Sequence, residues 1–352
     1  MDFLQYRTGC NDEGRRLDRV LKKFLPHIST ALICKYLRKN LIKINGKKSN
    51  PDYKITTDDV ISIADFIVND NVHENKDVAE AKSIYAHSKQ ADFTSIRIND
   101  IFKNQYLRII NKPYDIAVQK SSADSLALDA IIQKEYRENS SDTSLSFKPG
   151  PLHRLDKKTT GILVFSENLE GAKTFSELMQ SHSVKKEYLA VVTGKFAGPQ
   201  VQHWEDYISA SGKQTKNSFH TVAVSEIASD SAAKKAVTTA ECLATGEFCG
   251  KEISLVRFFI ETGRTHQIRS QSAFHGYPLF CDIAYGGFMP HKTTAADPTV
   301  HMFLHSYRMY FPKDNTLGLP PVLEAPLPDV LLSFIKKYLS EHVLHPYNIS
   351  VL

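Results

Sequence analysis

What most constrains the fold of this chain is the irregular spacing of its strand-like runs. Apolar, β-branched and aromatic runs stand at "YLRII", "GILVFS", "KEYLAVVTG", "AVTTAECLAT", "EISLVRFFIE" and "YRMYFP". Helical periodicity predicts helices at 124–137, 168–181, 265–275 and 328–340. Strands and helices do not alternate regularly, as a doubly wound parallel sheet would require. The expectation is an α+β fold whose mixed, largely antiparallel central sheet has flanking helices. No internal repeat or low-complexity tract interrupts this pattern.

The amino-terminal end differs in charge. Residues 1–63 hold 13 Lys+Arg and 7 Asp+Glu, which is 13 − 7 = +6, so with a net charge of +5 the remainder comes to 5 − 6 = −1. Such a local excess points to a module that binds a polyanion. In "RRLDRVLKKFL", Leu17, Val20, Leu21, Phe24 and Leu25 follow helical spacing and leave a basic outer face that includes Arg16 and Arg19. After Pro26, Ser29 or Thr30 can cap a second helix through "ALICKYLRKN". "LIKINGKK" then predicts a hairpin turning at Asn45-Gly46, and "DDVISI" a closing strand. The expected organisation is a small α/β module at 12–63, a polar linker at 64–94 and a second domain at 95–345.

The five cysteines, Cys10, Cys34, Cys242, Cys249 and Cys281, are scattered and form no CxxC pair, which fits free thiols in a reducing compartment. The start of the chain lacks the apolar core of a signal peptide, and no segment approaches the roughly 20 apolar residues of a membrane span. A cytoplasmic protein without a membrane partner is expected.

The densest chemistry lies in "GPLHRLDKKTTGILVFS" and "ETGRTHQIRSQSAFHGYPLFCDIAYGG". Asp156 follows Pro149, Gly150 and Pro151 and precedes a strand, which predicts a loop at a strand end, a common place for grafted function. A carboxylate there can serve as nucleophile, base or metal ligand. Gly263 ends the strand before it, Thr265 can cap a helix and Gly276 can stop it. Arg264 thus sits where strand meets helix and is a candidate to hold Asp156 by a charge-assisted contact. Otherwise Arg264 and Arg269 are phosphate ligands or helix-surface charges. His153, His266 and His275 have neither metal-ligand spacing nor an adjacent nucleophile motif, and are read as structural or RNA-contacting.

Taken in order, "INKP", "HRLDKKTTG", "KEYLAVVTG" and "TGRTHQIR" resemble the RluA-type pseudouridine synthases from about residue 95 to the end of the chain. The helix-helix-hairpin pattern over 12–63 resembles the S-four RNA-binding module that precedes the catalytic domain in the RluC and RluD branches. The resemblance implies a pseudouridine synthase fold and an isomerase that detaches uracil from ribose, turns it and rejoins it through carbon 5. It makes Asp156 the catalytic aspartate, Tyr188 of "KEYLAVV" the active-site tyrosine, Arg264 the partner of the aspartate and Arg154 the residue that takes the place of the flipped nucleotide. Attack on the anomeric carbon and elimination to a glycal both remain open. Lys35, Arg38 and Lys39, with Arg16, Arg19 and Lys43, would contact RNA phosphates. No cofactor and no metal are expected. The expected substrate is large-subunit (23S) ribosomal RNA, with transfer RNA as the alternative, and the expected assembly is a monomer.

Asp115 in "NKPYD" and Cys281 in "LFCDIAYGG" replace glycines frequent in that family, which implies local strain if those turns need positive φ. The rival from another class is a non-catalytic RNA-binding or ribosome-assembly factor, which would lack Asp156, Tyr188 or Arg264. A glycoside or nucleoside hydrolase would need a second acid, and none stands out.

Overall fold

The computed structural model describes residues 1–69, 96–119, 127–140, 142–196, 200–210, 221–228, 231–290 and 301–339. The chain forms two compact units. The first comprises Met1–Arg97, Asp129–Gly150 and Glu167–Leu169, and the second Ile98–Leu128, Pro151–Ser166 and the chain from Glu170 onward. Of the expected linker at 64–94, residues 70–94 lie outside the described residues.

The first unit begins with β1 (Phe3–Arg7), α1 (Leu17–Phe24), α2 (Thr30–Arg38), β2 (Ile42–Ile44), β3 (Val60–Ala64) and α3 (Asp65–Asn69). Leu17, Val20 and Leu21 turn one stripe of α1 fully inward against Ile33, Leu37, Ile42 and Ile61. Each such side chain contributes about 2 kcal/mol of apolar burial. Ser29 caps α2, its hydroxyl accepting from the Leu32 N–H at 3.2 Å. Asn45 and Gly46 both have positive φ, 50° and 75°, so Ile44 and Lys47 exchange both backbone hydrogen bonds across a two-residue turn. The sheet order β1-β3-β2 includes an edge strand, β1, that lies before the predicted module. Asp12, fully buried, ties in a later segment by accepting the N–H groups of Leu145 at 2.7 Å and Ser146 at 3.1 Å.

The chain continues through β4 (Asn99–Lys103), β5 (Leu107–Lys112), α4 (Leu128–Asn139), β6 (Thr160–Ser166), α5 (Leu169–Gln180) and β7 (Lys185–Thr193). It is completed by β8 (Val201–Ser209), β9 (Ala223–Ser225), β10 (Lys234–Phe248), β11 (Lys251–Ile260), α6 (Gln267–Phe274), β12 (Leu304–Tyr310), β13 (Val322–Glu324) and α7 (Asp329–Tyr338). Ten strands form one sheet in the order β4-β5-β6-β12-β7-β11-β10-β8-β9, with β13 on β12. Among the described residues only β6 and β12 of these strands pair in parallel, so the sheet is mixed and largely antiparallel, as expected. β6 is buried along its whole length, which is why its sequence reads as a continuous apolar run. Two apolar clusters cover the sheet, one around Leu189, Leu255, Phe280 and Phe334, the other around Ile109, Ile162, Phe175 and Met309.

Gly161 makes the parallel junction possible. Its φ is +103°, and a Cβ there would lie 2.2 Å from the Ser306 carbonyl oxygen, so β12 can approach only a residue with no side chain. That junction lies immediately after the loop that bears Asp156. No helix among the described residues is long and apolar enough to cross a membrane.

Candidate active site

All the groups of the site belong to the second unit. Asp156 starts a tight turn whose Thr159 N–H donates to the Asp156 carbonyl at 3.0 Å, just before β6. Beneath the turn lies Lys112, the last residue of β5, only 1% exposed. Its Nζ donates to the carbonyls of Pro113 at 3.0 Å, Lys157 at 2.8 Å and Thr159 at 2.8 Å. The backbone that follows Asp156 is therefore clamped by one ammonium. Burial brings the Lys112 pKa down to about 7, against the pull of the Asp156 and Asp115 carboxylates.

The partner of Asp156 is Arg269, a correction to the expected Arg264. Arg269 Nη1 donates to Asp156 Oδ2 at 3.0 Å, while Nε and Nη2 donate to the two oxygens of buried Asp282 at 2.7 and 2.9 Å. Burial disfavours the Arg269 charge, but the two carboxylates, Asp282 foremost, outweigh it and raise its pKa. Arg264 lies exposed before α6, its Nε donating to the Lys235 carbonyl at 2.9 Å. The physical reason is helical phase. Arg269 lies within the first turn of α6, between Ile268 and Ser270 on its buried side, whereas Arg264 precedes the helix.

His266 occupies the cap of α6 in the left-handed region, at φ 53°, and its Nε2 stands 3.8 Å from Asp156 Oδ2. Its Nδ1 lies 2.9 Å from the Tyr285 hydroxyl, which also accepts the Val222 N–H at 2.9 Å. Burial lowers the His266 pKa despite Asp156, so the ring is neutral at neutral pH. Of the other two histidines, His153 accepts the Val164 N–H at 3.2 Å and burial takes it down to about 4, while His275 stands 2.9 Å from Asp206 and stacks on Trp204. Both hold the scaffold.

Tyr188 lies on β7 between Phe258 of β11 and Ser306 of β12, and is 6% exposed. It lines a recess of about 70 Å³ together with Asp156, Arg264 and Arg269. Burial, reinforced by the Asp156 charge, pushes its phenol up to about 12, so it is a proton donor at neutral pH. Asp156 also lines a larger cavity of about 680 Å³, whose walls include Arg154, Lys157, Lys158, His266 and Cys281. That volume accommodates a nucleotide. Arg154 is exposed and lines both spaces. Burial pushes the Cys281 thiol up to about 12, which leaves it protonated at neutral pH. Asp115 and Cys281 do adopt positive φ, 59° and 60°, and Asp115 pairs with Lys157 at 3.4 Å.

Of the module residues, Arg19, Lys35, Arg38 and Lys39 are exposed, the last three at the end of α2. Arg16 is bonded through two nitrogens to Asp18, and Lys43 stands 4.6 Å from the centre of the Phe3 ring. Lys112 and Asp282 are the site residues that sequence reasoning missed, and for Arg269 the sequence suggests only a phosphate ligand or a helix-surface charge. A usable signal existed for Lys112, a lysine at the end of the otherwise apolar strand "YLRIINKP".

A carboxylate held by a largely buried arginine at the wall of a cavity of about 680 Å³, with a protonated tyrosine lining the adjoining recess, is an arrangement suited to acid-base or covalent chemistry. The family model described as RNA pseudouridylate synthase matches residues 106–274. The ribosomal large subunit pseudouridine synthase C of Rickettsia typhi is 28% identical over 316 residues, 89% of this chain and 94% of that protein. The protein of the same name from Escherichia coli O6:H1 is 26% identical over 335 residues, 93% of this chain and 94% of its own. Human RNA pseudouridylate synthase domain containing 4 shares the fold, with a TM-score of 0.51 at 20% identity, covering 72% of this chain and 94% of that one. The chain is similar to the RluA-type pseudouridine synthases, and this similarity indicates an isomerase.

Proposed function

We propose that the chain isomerises specific uridines of large-subunit ribosomal RNA in the cytoplasm, with Asp156 as the reacting carboxylate. The observation that carries this reading is the Asp156–Arg269–Asp282 array at the wall of the larger cavity. The full-length similarity to two synthases named for the large ribosomal subunit supports the choice of RNA.

A stacked uridine must leave its helix before Asp156 can reach it, at a cost of a few kcal/mol. Exposed Arg154, beside Asp156, supplies a guanidinium plane that can occupy the vacated stack and offset part of that cost. Arg269 occupies Oδ2, and Oδ1 accepts no hydrogen bond among the described residues, so Oδ1 is the oxygen presented to the sugar. The bond between ribose C1′ and uracil N1 breaks, and uracil departs with the electron pair. Oδ1 either bonds to C1′ or takes the proton from C2′. After the base turns, C5 bonds to C1′, the carboxylate is released or returns the C2′ proton, C5 loses its hydrogen as a proton, and N1 takes one up. Arg269 keeps the carboxylate oriented throughout, and the Tyr188 phenol is placed to donate a hydrogen bond to the charge that develops on the base. Arg264, exposed at the smaller recess, is assigned to a phosphate of the RNA rather than to Asp156. The first unit, whose basic α2 end resembles that of an S-four module, delivers the RNA.

Loss of the C5 hydrogen gives a direct assay. A large-subunit RNA transcript made with uridine tritiated at C5 should release tritium with the purified protein and not with Asp156→Asn. No release from that transcript, with release from transfer RNA, would move the substrate; no release from either would overturn the reading.

A further inference from the structure

The first unit contains a recess that the isomerisation does not use. Its volume is about 310 Å³, and its walls pair aromatic rings with cations: Phe24 and Lys23 at the end of α1, Tyr136 and Arg137 in α4, and Phe147 with Lys148. The aromatic part is built rigidly. Tyr136 donates to Asp142 Oδ2 at 2.8 Å, Asn11 Nδ2 donates to the same oxygen at 2.8 Å, and the Tyr136 and Phe147 rings meet edge to face at 5.8 Å. Buried Asp12 fixes Leu145 and Ser146 just before Phe147.

The cations contrast with this. Lys23, Arg137 and Lys148 are exposed, and none makes an ion pair among the described residues. Asp142, the carboxylate lining the recess, is already committed to donors from Asn11, Tyr136 and Ser144. Burial, with the like charges of Arg15 and Lys148, lowers the Lys23 pKa, and the three cations outnumber the one carboxylate lining the recess, Asp142. Three cations alone would suit any anion. Combined with three aromatic side chains they match a single-stranded nucleotide, whose phosphate takes the charges and whose base takes the rings.

We infer that this recess holds one unpaired nucleotide of the RNA substrate, other than the uridine being isomerised, with its base among Phe24, Tyr136 and Phe147 and its phosphate at Lys23, Arg137 and Lys148. The inference rests on the RNA-modifying function proposed above. It assigns part of substrate recognition to α4 and the segment after it, outside the helix-hairpin module at 12–63.

The test is the salt dependence of binding to an unmodified large-subunit RNA transcript. Lys23, Arg137 and Lys148 are exposed, so their joint replacement by Gln preserves the fold, which circular dichroism checks. The triple variant should bind at least tenfold more weakly at about 0.1 M salt, and its slope of log affinity against log salt should be shallower by roughly 0.7, from one phosphate no longer neutralised. Lys313→Gln, an exposed charge in the second unit, should change neither. Ultraviolet cross-linking of the wild-type complex should place a nucleotide adduct on Tyr136, Phe147 or Phe24. Unchanged affinity and slope, or adducts confined to other residues, would overturn the inference. Failure of the wild-type protein to release tritium from the same transcript would instead count against the proposed function, because the binding measurement does not require turnover.

Discussion

Arg269 joins two carboxylates, holding Asp156 at 3.0 Å with one nitrogen while its other two are bonded to Asp282 at 2.7 and 2.9 Å. Asp282 is 2% exposed in its side chain and Asp156 26%, so a buried anion anchors the cation that orients the reactive one. A planar guanidinium can make all three contacts, whereas an ammonium cannot reproduce that fork.

Arg269→Lys should therefore lower kcat on the order of 100-fold, because the carboxylate loses its fixed orientation. Arg269→Ala should also destabilise the protein by about 3 kcal/mol, since Asp282 is left buried and unpaired. Arg264→Ala should chiefly raise KM. Steady-state kinetics and urea unfolding on the three variants check this, and a larger kcat loss for Arg264→Ala than for Arg269→Lys would restore Arg264 as the partner.

Lys112 should show itself in the pH dependence of stability. Its folded pKa of about 7 lies below the unfolded value near 10.4, so the unfolded chain binds more protons between those limits and stability rises with pH there. The penalty for burying the charge is fully present below about pH 7 and is relieved towards pH 10. Between pH 6 and pH 9 the wild type should gain stability relative to Lys112→Met in urea unfolding, while parallel curves would contradict the shift. The variant should also lose about tenfold or more in kcat, since the carbonyls of Lys157 and Thr159 lose their anchor beside Asp156.

Tyr188→Phe removes one hydroxyl from a well-packed strand position. Turnover should fall by about 100-fold or more if the phenol donates in the transition state, with a melting temperature close to that of the wild type. With the phenol pKa at about 12, Tyr188 should put no limb on the rate profile between pH 7 and pH 10. An alkaline loss of rate that disappears in Tyr188→Phe would contradict its assignment as a donor.

Gly161→Ala tests the parallel junction. The new Cβ would meet the Ser306 backbone at 2.2 Å, at a φ of +103° that alanine disfavours, so unfolding free energy should fall by about 3 kcal/mol or more. A variant of wild-type stability would show that β12 can shift away from β6 without penalty.

Much of this was legible in the chain because period and burial coincide. The six apolar runs named from the sequence all fall within or across strands of the large sheet, and the helices predicted around 124–137, 168–181, 265–275 and 328–340 are α4, α5, α6 and α7. β1, β4, β8, β9 and β13 were missed, since β1, β4 and β8 have several exposed residues and β9 and β13 have only three residues each, so none carries a full apolar run. Asp156 and Tyr188 stand in motifs dense enough to be singled out. The choice between Arg264 and Arg269 was not legible, because it depends on which side of α6 faces the sheet, a property of packing. Likewise nothing local marks Asp12 as the residue that binds the segment around Leu145, a contact of sequence separation 133.

The most direct test of the central claim is pseudouridine mapping of ribosomal and transfer RNA from cells lacking this protein, complemented with wild-type or Asp156→Asn protein. The account predicts specific large-subunit sites that are lost without the protein, return with the wild type and stay absent with Asp156→Asn. Restoration of those sites by Asp156→Asn would contradict it.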